Sequence, residues 1–520
     1  MRTHPERGRI VVIGLAEASP HLIDRFIEAG ELPTLRTMRD EGCTGRLRSR
    51  IPLITPQMWS SIATGQPPGV HGLFDFWQRG PDGRFREMNG SQRRAEPIWQ
   101  ILSRRGIRSG IVNVPFTYPP DPIDGYVIAG EDAPGAHRSI ASPPELFDAV
   151  TKRFGRYRLK DIFPGGRAKS DYLGLIGEDV AKQTDVLEYL VTEHPTDFFL
   201  AFYSASAIAQ HYFWSDMESD DPDDPYRDVI LDAYRCLDRA IARLTRAAGP
   251  DAAVYVISEC GAGPLAAGVQ IAAWLEREGF LCAKHPAGIG DRRPARQTQR
   301  LRHLAARFRT EAQGRLPKDW FHFANRRFHW LKAAIQTYLE ESAIDWSRTR
   351  VFSRGKEGHL FVNLKGRDPH GIVAPGAEYE SLLREVEERL LDLTDPATGA
   401  KAVDAVLRAE EIYAGPWVPA APDLTIAWHD TAYMPTESDR DEDEVFVTRR
   451  REYMKWPTSG AHRIDGCFFA RGPGIRRGKT LDGLDLLRLV PTWLHALRQP
   501  VPAELPGEVI RDLFDGGEVG

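Results

Sequence analysis

The chain has 520 residues, 42% of them apolar and 27% charged, with a formal net charge of -5 and a pI near 6.3. This composition is that of an ordinary folded protein, and it excludes a protein held to nucleic acid by bulk positive charge. The length suits one large domain with insertions, or two or three smaller domains.

Five cysteines (Cys43, Cys236, Cys260, Cys282, Cys467) are scattered with no CxxC pair. An odd, sparse set in a long chain fits a reducing compartment better than a disulfide framework. The amino-terminal stretch is charged, and its apolar run covers only residues 10–15. That is too short for a signal-peptide core or a membrane span, and no later segment reaches spanning length. The expected location is cytoplasmic.

Residues 9–15 (RIVVIGL) form a short β-branched run, as expected of a buried parallel strand. Ser19-Pro20 then caps a predicted helix ending near Gly30. Strand, loop and capped helix in this order make a βα unit, and open α/β sheets place ligands at the strands' carboxyl edge. In residues 51–77, IPLITPQMWSSIATGQPPGVHGLFDFW, Thr55 precedes Pro56 at the head of an apolar, helix-like run. The pattern predicts Thr55 at the N-cap and Pro56 at the first helical position. A side chain there lies at the positive end of the helix dipole, where an anion is stabilised. Spacing alone gives Thr55 no more than a capping role.

The βα pattern recurs. Residues 97–105 read as helix and 110–115 as strand. Residues 197–204 (DFFLAFYS) read as a strand leading into AIAQHYFW, and 226–248 as a long amphipathic helix. Residues 253–258 (AVYVIS) read as a buried strand running into Glu259-Cys260-Gly261. Residues 291–339 are rich in Arg, His and aromatics, lack strand signals and read as a helical insert. Such an insert either brings cations over an anionic substrate or is a solvated face, the commoner case for a charge run. The acidic loops at 216–224 and 437–444 lack the alternating ligand spacing of a calcium loop and read as solvated turns. The later chain returns to α/β, with strands expected within 359–371, 421–428 and 467–474 and helices over 379–391 and 485–497.

The 51–77 stretch resembles the alkaline phosphatase superfamily, in its type I phosphodiesterase/nucleotide pyrophosphatase branch. There a Thr or Ser nucleophile opens a helix nine residues before a Thr-Gly, and a His-Gly follows. The counterparts are Thr55, Thr64-Gly65 and His71-Gly72. PIWQILSRRGIRSGIVNVPFTYPP, IDWSRTR, NLKGRDPHGIV, DPATGAKAV, APDL and SGAHRIDGCFFARGPGI are similar to a bacterial subgroup of predicted phosphohydrolases. The ordered set runs from about Ile10 to about Leu497.

The resemblance implies an alkaline-phosphatase-like three-layer α/β sandwich, with a mainly parallel central sheet plus helical and small α+β insertions. The implied divisions are a first part of the core over 1–270, a helical Arg- and aromatic-rich insert or cap over 271–345, and the rest of the core over 346–520. That last part includes a small α+β insertion at about 360–420.

Family members hold two divalent metals, usually zinc, about 4 Å apart, which clamp the attacking and leaving oxygens of an in-line phosphoryl displacement. Carrying the ligand positions over gives a mixed result. The aspartate after the first strand is Ala16, and the adjacent Glu17 is expected to point elsewhere on a tight strand-end loop. The nucleophile position is Thr55. The Asp four residues before a His is Ala207, and the His is kept as His211. A later Asp-His dipeptide is Glu259-Cys260, and the final His is His462 in Gly460-Ala461-His462.

Two dications 4 Å apart repel by about 17 kcal/mol even at an effective dielectric near 20. Three aspartates normally offset this, and here at most one glutamate and one thiolate could. The resemblance therefore implies a degenerate site: one zinc at most, held by His211, His462, Glu259 and Cys260, with no metal an equal expectation. Each of these residues also has a plain structural role open to it, as core His, helix cap, small buried hydrophobe or loop His. Cys260 as a nucleophile would need a basic neighbour such as His211 or His462.

Three functions follow as expectations. The leading one is a pseudoenzyme that retains binding of a phosphorylated or nucleotide-like small molecule, or scaffolds a protein partner. The second is an active metal-dependent phosphodiesterase or phosphohydrolase using Thr55 as nucleophile with one zinc or a repurposed site. The third is a membrane-surface or protein-binding module using the basic residues 292–332. No nucleic-acid partner is expected.

Overall fold

The computed structural model describes residues 8–80, 82–159, 168–284, 344–355, 358–436, 444–447 and 458–516. Most of the insert expected over 271–345, including the basic stretch 292–332, and most of the acidic loop 437–444 lie outside the described residues, while 271–284 begins with a helix over Ile271–Arg277.

Nine strands form the central sheet: β1 (Arg9–Leu15), β2 (Cys43–Arg48), β3 (Ser109–Val112), β4 (Gly125–Ile128), β5 (Ala141–Ser142), β6 (Phe198–Tyr203), β7 (Ala252–Ile257), β8 (Asp465–Arg471) and β9 (Lys479–Asp485). Their spatial order is β9-β2-β8-β7-β1-β6-β3-β4-β5. β1 lies at the centre, parallel to β6 and β7, with Val12 opposite Leu200 and Tyr255. β3 extends the parallel set beside β6, and β4 beside β3. β8 is antiparallel to both β2 and β7, so β2 runs in the same direction as β1. The carboxyl ends of β1, β2, β6 and β7 therefore share one edge, which is also where β8 begins. β2 and β9 carry charged residues on a half-exposed flank of the sheet, and their weak apolar signal left them unread in the sequence.

The helices that bear on the site are α1 (Pro20–Glu28), α2 (Thr55–Thr64), α3 (Ala205–Met217) and α4 (Val229–Ala248). β1 alternates between two cores. Val11, Ile13 and Leu15 face α1, α4 and the helix Tyr172–Glu193, while Ile10 and Val12 face α2, Ile98–Arg104 and Leu489–Ala496. This gives three layers, helix–sheet–helix, and burying each such aliphatic side chain stabilises the fold by about 1.5–3 kcal/mol. α3 straddles the boundary, with Ala205, Ile208 and Ala209 in the first core and Ala207 in the second.

A separate four-stranded sheet, in the order Val351–Ser353, His359–Val362, Leu424–Trp428, Val403–Arg408, carries the helix Ala377–Leu391 and its own core. A buried ionic network ties it to the hairpin of Trp77–Arg79 and Phe85–Glu87. Arg367 grips Asp423 through two nitrogens at 2.6 and 2.8 Å, and Arg79 lies 3.4 Å from Asp368. Tyr379 donates to Asp423 at 2.7 Å. The acidic loop after α3 is a set of turns in which Asp221 accepts from the Asp223 amide, while Asp216 is buried against Lys169.

Candidate metal centre

The site is assembled at the carboxyl edge of the sheet. β1 delivers Ala16 and Glu17, the loop after β2 delivers Thr55, β6 leads into α3 with Ala207 and His211, and β7 leads into Glu259 and Cys260. His462 arrives on the strand Gly460–Arg463, antiparallel to Gly261–Pro264, with His462 opposite Ala262.

Glu17 is the correction to the sequence reading. The expectation that it points elsewhere on the strand-end loop does not hold. Its backbone instead turns left-handed, with φ of 54°, which re-aims the side chain. The loop is pinned around it. The Glu17 carbonyl accepts from Gln210 Nε2 at 2.9 Å, and Ser206 donates to the Ala16 carbonyl at 2.6 Å. Ser258 Oγ accepts the Ala18 amide at 2.7 Å. Gln210 also accepts from the Tyr234 hydroxyl at 2.9 Å, which ties α4 to the same loop.

The Glu17 carboxylate stands between the two imidazoles. Oε2 is 2.9 Å from His211 Nε2, and Oε1 is 3.2 Å from His462 Nε2. The rings of His211 and His462 sit with centroids 5.3 Å apart. One ligand atom from each of Glu17, His211 and His462 lies within 4.8 Å of the others, the group among the described residues able to hold a metal ion. Burial opposes ionisation of Glu17, but the charges of His211 and His462 and their contacts with the carboxylate outweigh it. They hold its carboxyl well below the usual carboxylate range.

Neither Glu259 nor Cys260 belongs to that group. Glu259 is buried beside it, and one of its oxygens accepts the Glu17 amide at 3.4 Å. Burial and then the charge of Glu17 push its carboxyl up to about 8. Cys260 is wholly buried in the apolar core that also contains Ala16, Ala207, Trp59 and Phe202. There the Trp59 and Phe202 rings meet edge-on with centroids 4.8 Å apart.

Thr55 lies one residue further into its helix than the sequence suggested. Ile54 occupies the cap position, Thr55 is the first helical residue, and no side-chain capping bond forms. The capping role is therefore not what places Thr55 here. It is half-buried at the positive end of α2. The preceding residues Ile51, Pro52 and Leu53 and His462 line one cavity of about 30 Å³ with Ile426, Trp428, Thr431, Tyr433 and Met434. That volume suits a water molecule rather than an organic ligand.

The two-ion donor set that the sequence resemblance implies does not fit these residues, because the positions it assigns to two carboxylates are Ala16 and Ala207, both in an apolar core. The donor chemistry that remains, two imidazoles and one carboxylate, suits a single divalent ion such as zinc. Such an ion, when bound, would polarise a phosphoryl oxygen. Residues that sequence reasoning missed are Glu17 as a donor, Gln210 as the brace of its loop, and a buried pair in which His359 Nδ1 lies 2.8 Å from Asp75. Gln210 precedes His211 directly, and that adjacency is the one signal that could have drawn attention to it.

Comparison with known proteins agrees with the architecture. The phosphonoacetate hydrolase of Sinorhizobium meliloti, solved with phosphonoformate, is similar with a TM-score of 0.55 at 15% identity, covering 95% of each chain. Human ectonucleotide pyrophosphatase/phosphodiesterase 5 has a TM-score of 0.51 at 12% identity, covering 98% of this chain and 100% of that one. An inactive form of the murine protein in complex with AMP has a TM-score of 0.53 at 12% identity over the same shares. No curated protein sequence matches significantly. None of the described helices is long and apolar enough to cross a membrane. The type I phosphodiesterase/nucleotide pyrophosphatase family model matches residues 10–457, and the chain belongs to that family, within the alkaline phosphatase superfamily.

Proposed function

We propose that this chain keeps the ligand-binding edge of its family but has lost two-metal phosphoester hydrolysis, and that the edge binds a phosphorylated, nucleotide-like small molecule. One observation carries the reading. Ala16, Ala207 and Cys260 are buried in one apolar core with Trp59 and Phe202, where the family places charged ligands. A second dication there would face apolar walls, and the repulsion between the two ions would have no carboxylates to offset it. Binding is supported by what remains: the amino-terminal turn of α2 with Thr55, and a donor set for one zinc at most. Similar structures hold phosphonoformate and AMP.

The test uses the full chain with zinc, an aryl phosphodiester and AMP. The expected result is no turnover above buffer together with saturable AMP binding by calorimetry. Zinc-dependent turnover that disappears in Thr55→Ala would overturn the loss of hydrolysis. It would establish the second reading, a single-zinc phosphodiesterase with Thr55 as nucleophile. That reading draws on the place of Thr55, partly exposed as the first residue of α2 at the positive end of its dipole. We also read the chain as cytoplasmic, since all five cysteines are free thiols. Cell fractionation that recovers it outside the cytoplasm would contradict this.

A further inference from the structure

We infer that Glu17, His211 and His462 form a rebuilt mononuclear site for one divalent transition-metal ion, with Glu17 replacing the lost aspartates. This rests on the reading that the two-metal centre is gone, and it assigns the surviving ion to a carboxylate from a position the family does not use.

Three observations support it. First, His211 Nδ1 lies 3.1 Å from the Gly460 carbonyl. A carbonyl only accepts, so Nδ1 carries a proton and Nε2 is left to face Glu17. A metal-binding histidine is oriented in this way, by giving its second N–H to a carbonyl or carboxylate. Secondly, Glu17 Oε2 is buried and receives no aligned hydrogen bond, although His211 Nε2 is only 2.9 Å away. A divalent cation placed between the imidazole nitrogen and the carboxylate would be bonded by both. Thirdly, the separations fit. Tetrahedral zinc with bonds of about 2.0–2.1 Å spaces its ligand atoms roughly 3.3 Å apart. His211 stands 2.9 Å from one Glu17 oxygen and His462 3.2 Å from the other, and one ligand atom from each residue lies within 4.8 Å of the others, so small side-chain shifts bring the three round one ion. Glu17 is held in its left-handed turn by Gln210 and Ser206, so the donor set is positioned before any ion arrives.

Apo full-length chain would be titrated with zinc against a chromophoric chelator, and with cobalt(II) by absorption. The wild type is expected to bind one equivalent. Glu17→Gln should weaken binding by about 100-fold, the upper end of what losing a supporting partner costs. His462→Gln should do likewise, and it guards against a Glu17 variant that fails to fold. Cys260→Ser should leave affinity within a few-fold, and the cobalt spectrum should lack a thiolate charge-transfer band. No zinc binding by the wild type, or wild-type affinity in both Glu17→Gln and His462→Gln, would overturn the inference. So would a thiolate band that vanishes in Cys260→Ser. A second zinc equivalent with phosphodiester turnover would instead overturn the loss of hydrolysis, and the triad would stand if Glu17 were still required.

Discussion

His71 shows how one buried group sets a pH response apart from the metal chemistry. Its Nδ1 accepts the Leu73 amide at 3.2 Å, so Nε2 holds the proton and donates to Ser61 Oγ at 3.1 Å. Burial, and then the charge of Arg93, push its pKa down to about 3. An unfolded histidine titrates near 6.5. Between those values the unfolded chain binds a proton that the folded chain refuses, so this group lowers stability as pH falls from about 6.5 to about 3 and has no effect above 6.5. Urea unfolding across that range should show a shallower acid loss in His71→Gln than in the wild type. Parallel curves would contradict the assignment. At Glu17 the decisive quantity is likewise local: a torsion of 54°, which no pattern of residue types encodes.

At the scale of elements, α3 places residues 207 and 211 one turn apart on the same face. Ala207→Asp would therefore set a carboxylate under His211. Without metal, that buried and unsatisfied group should cost about 1–3 kcal/mol. With zinc the cost should be offset, so the zinc-induced rise in melting temperature should exceed that of the wild type. An equal or smaller rise would show that the face does not reach the site. α2 is held to β1 by Trp59, whose ring lies where a Cβ on Gly14 would come within 2.5 Å. Trp59→Ala should destabilise by about 3–5 kcal/mol in urea unfolding, and a loss below 1 kcal/mol would mean that the two elements are held together otherwise. The βα unit over 9–30 and the strand over 253–258 were legible because buried parallel strands read as continuous β-branched runs. The burial of Ala16 and Ala207 follows from the strand end and helix start on which they stand. Glu17 was not legible, since the sequence order of strand end and loop does not reveal a left-handed turn. The helix at 172–193 was missed because its buried positions, among them Asp179 and Thr184, blur the apolar stripe.

Across the whole molecule, two cores flank one sheet, and a third supports the small sheet over the Thr55 side. Arg79, Arg367, Asp368 and Asp423 lock that small sheet to the hairpin near residues 77–87. Removing one partner of a buried ion pair strands the other, at about 3–5 kcal/mol. Asp423→Ala should therefore speed amide exchange over His359–Val362 and Leu424–Trp428 before the central sheet opens. Uniform exchange throughout would contradict this division. The sequence placed strands in this region, but not their antiparallel order, because pairing between distant short strands leaves no local signature. His211 and His462 are 251 residues apart and meet only because α3 and the Gly460–Arg463 strand end at the same sheet edge.

Native mass spectrometry of the full chain in excess zinc is the most direct test of a single-ion centre built on a two-ion scaffold. One tightly held zinc per chain, with about 100-fold more zinc needed for the same occupancy in Glu17→Gln, is the predicted result. Two zinc ions per chain, or an unchanged zinc dependence in Glu17→Gln, would contradict it.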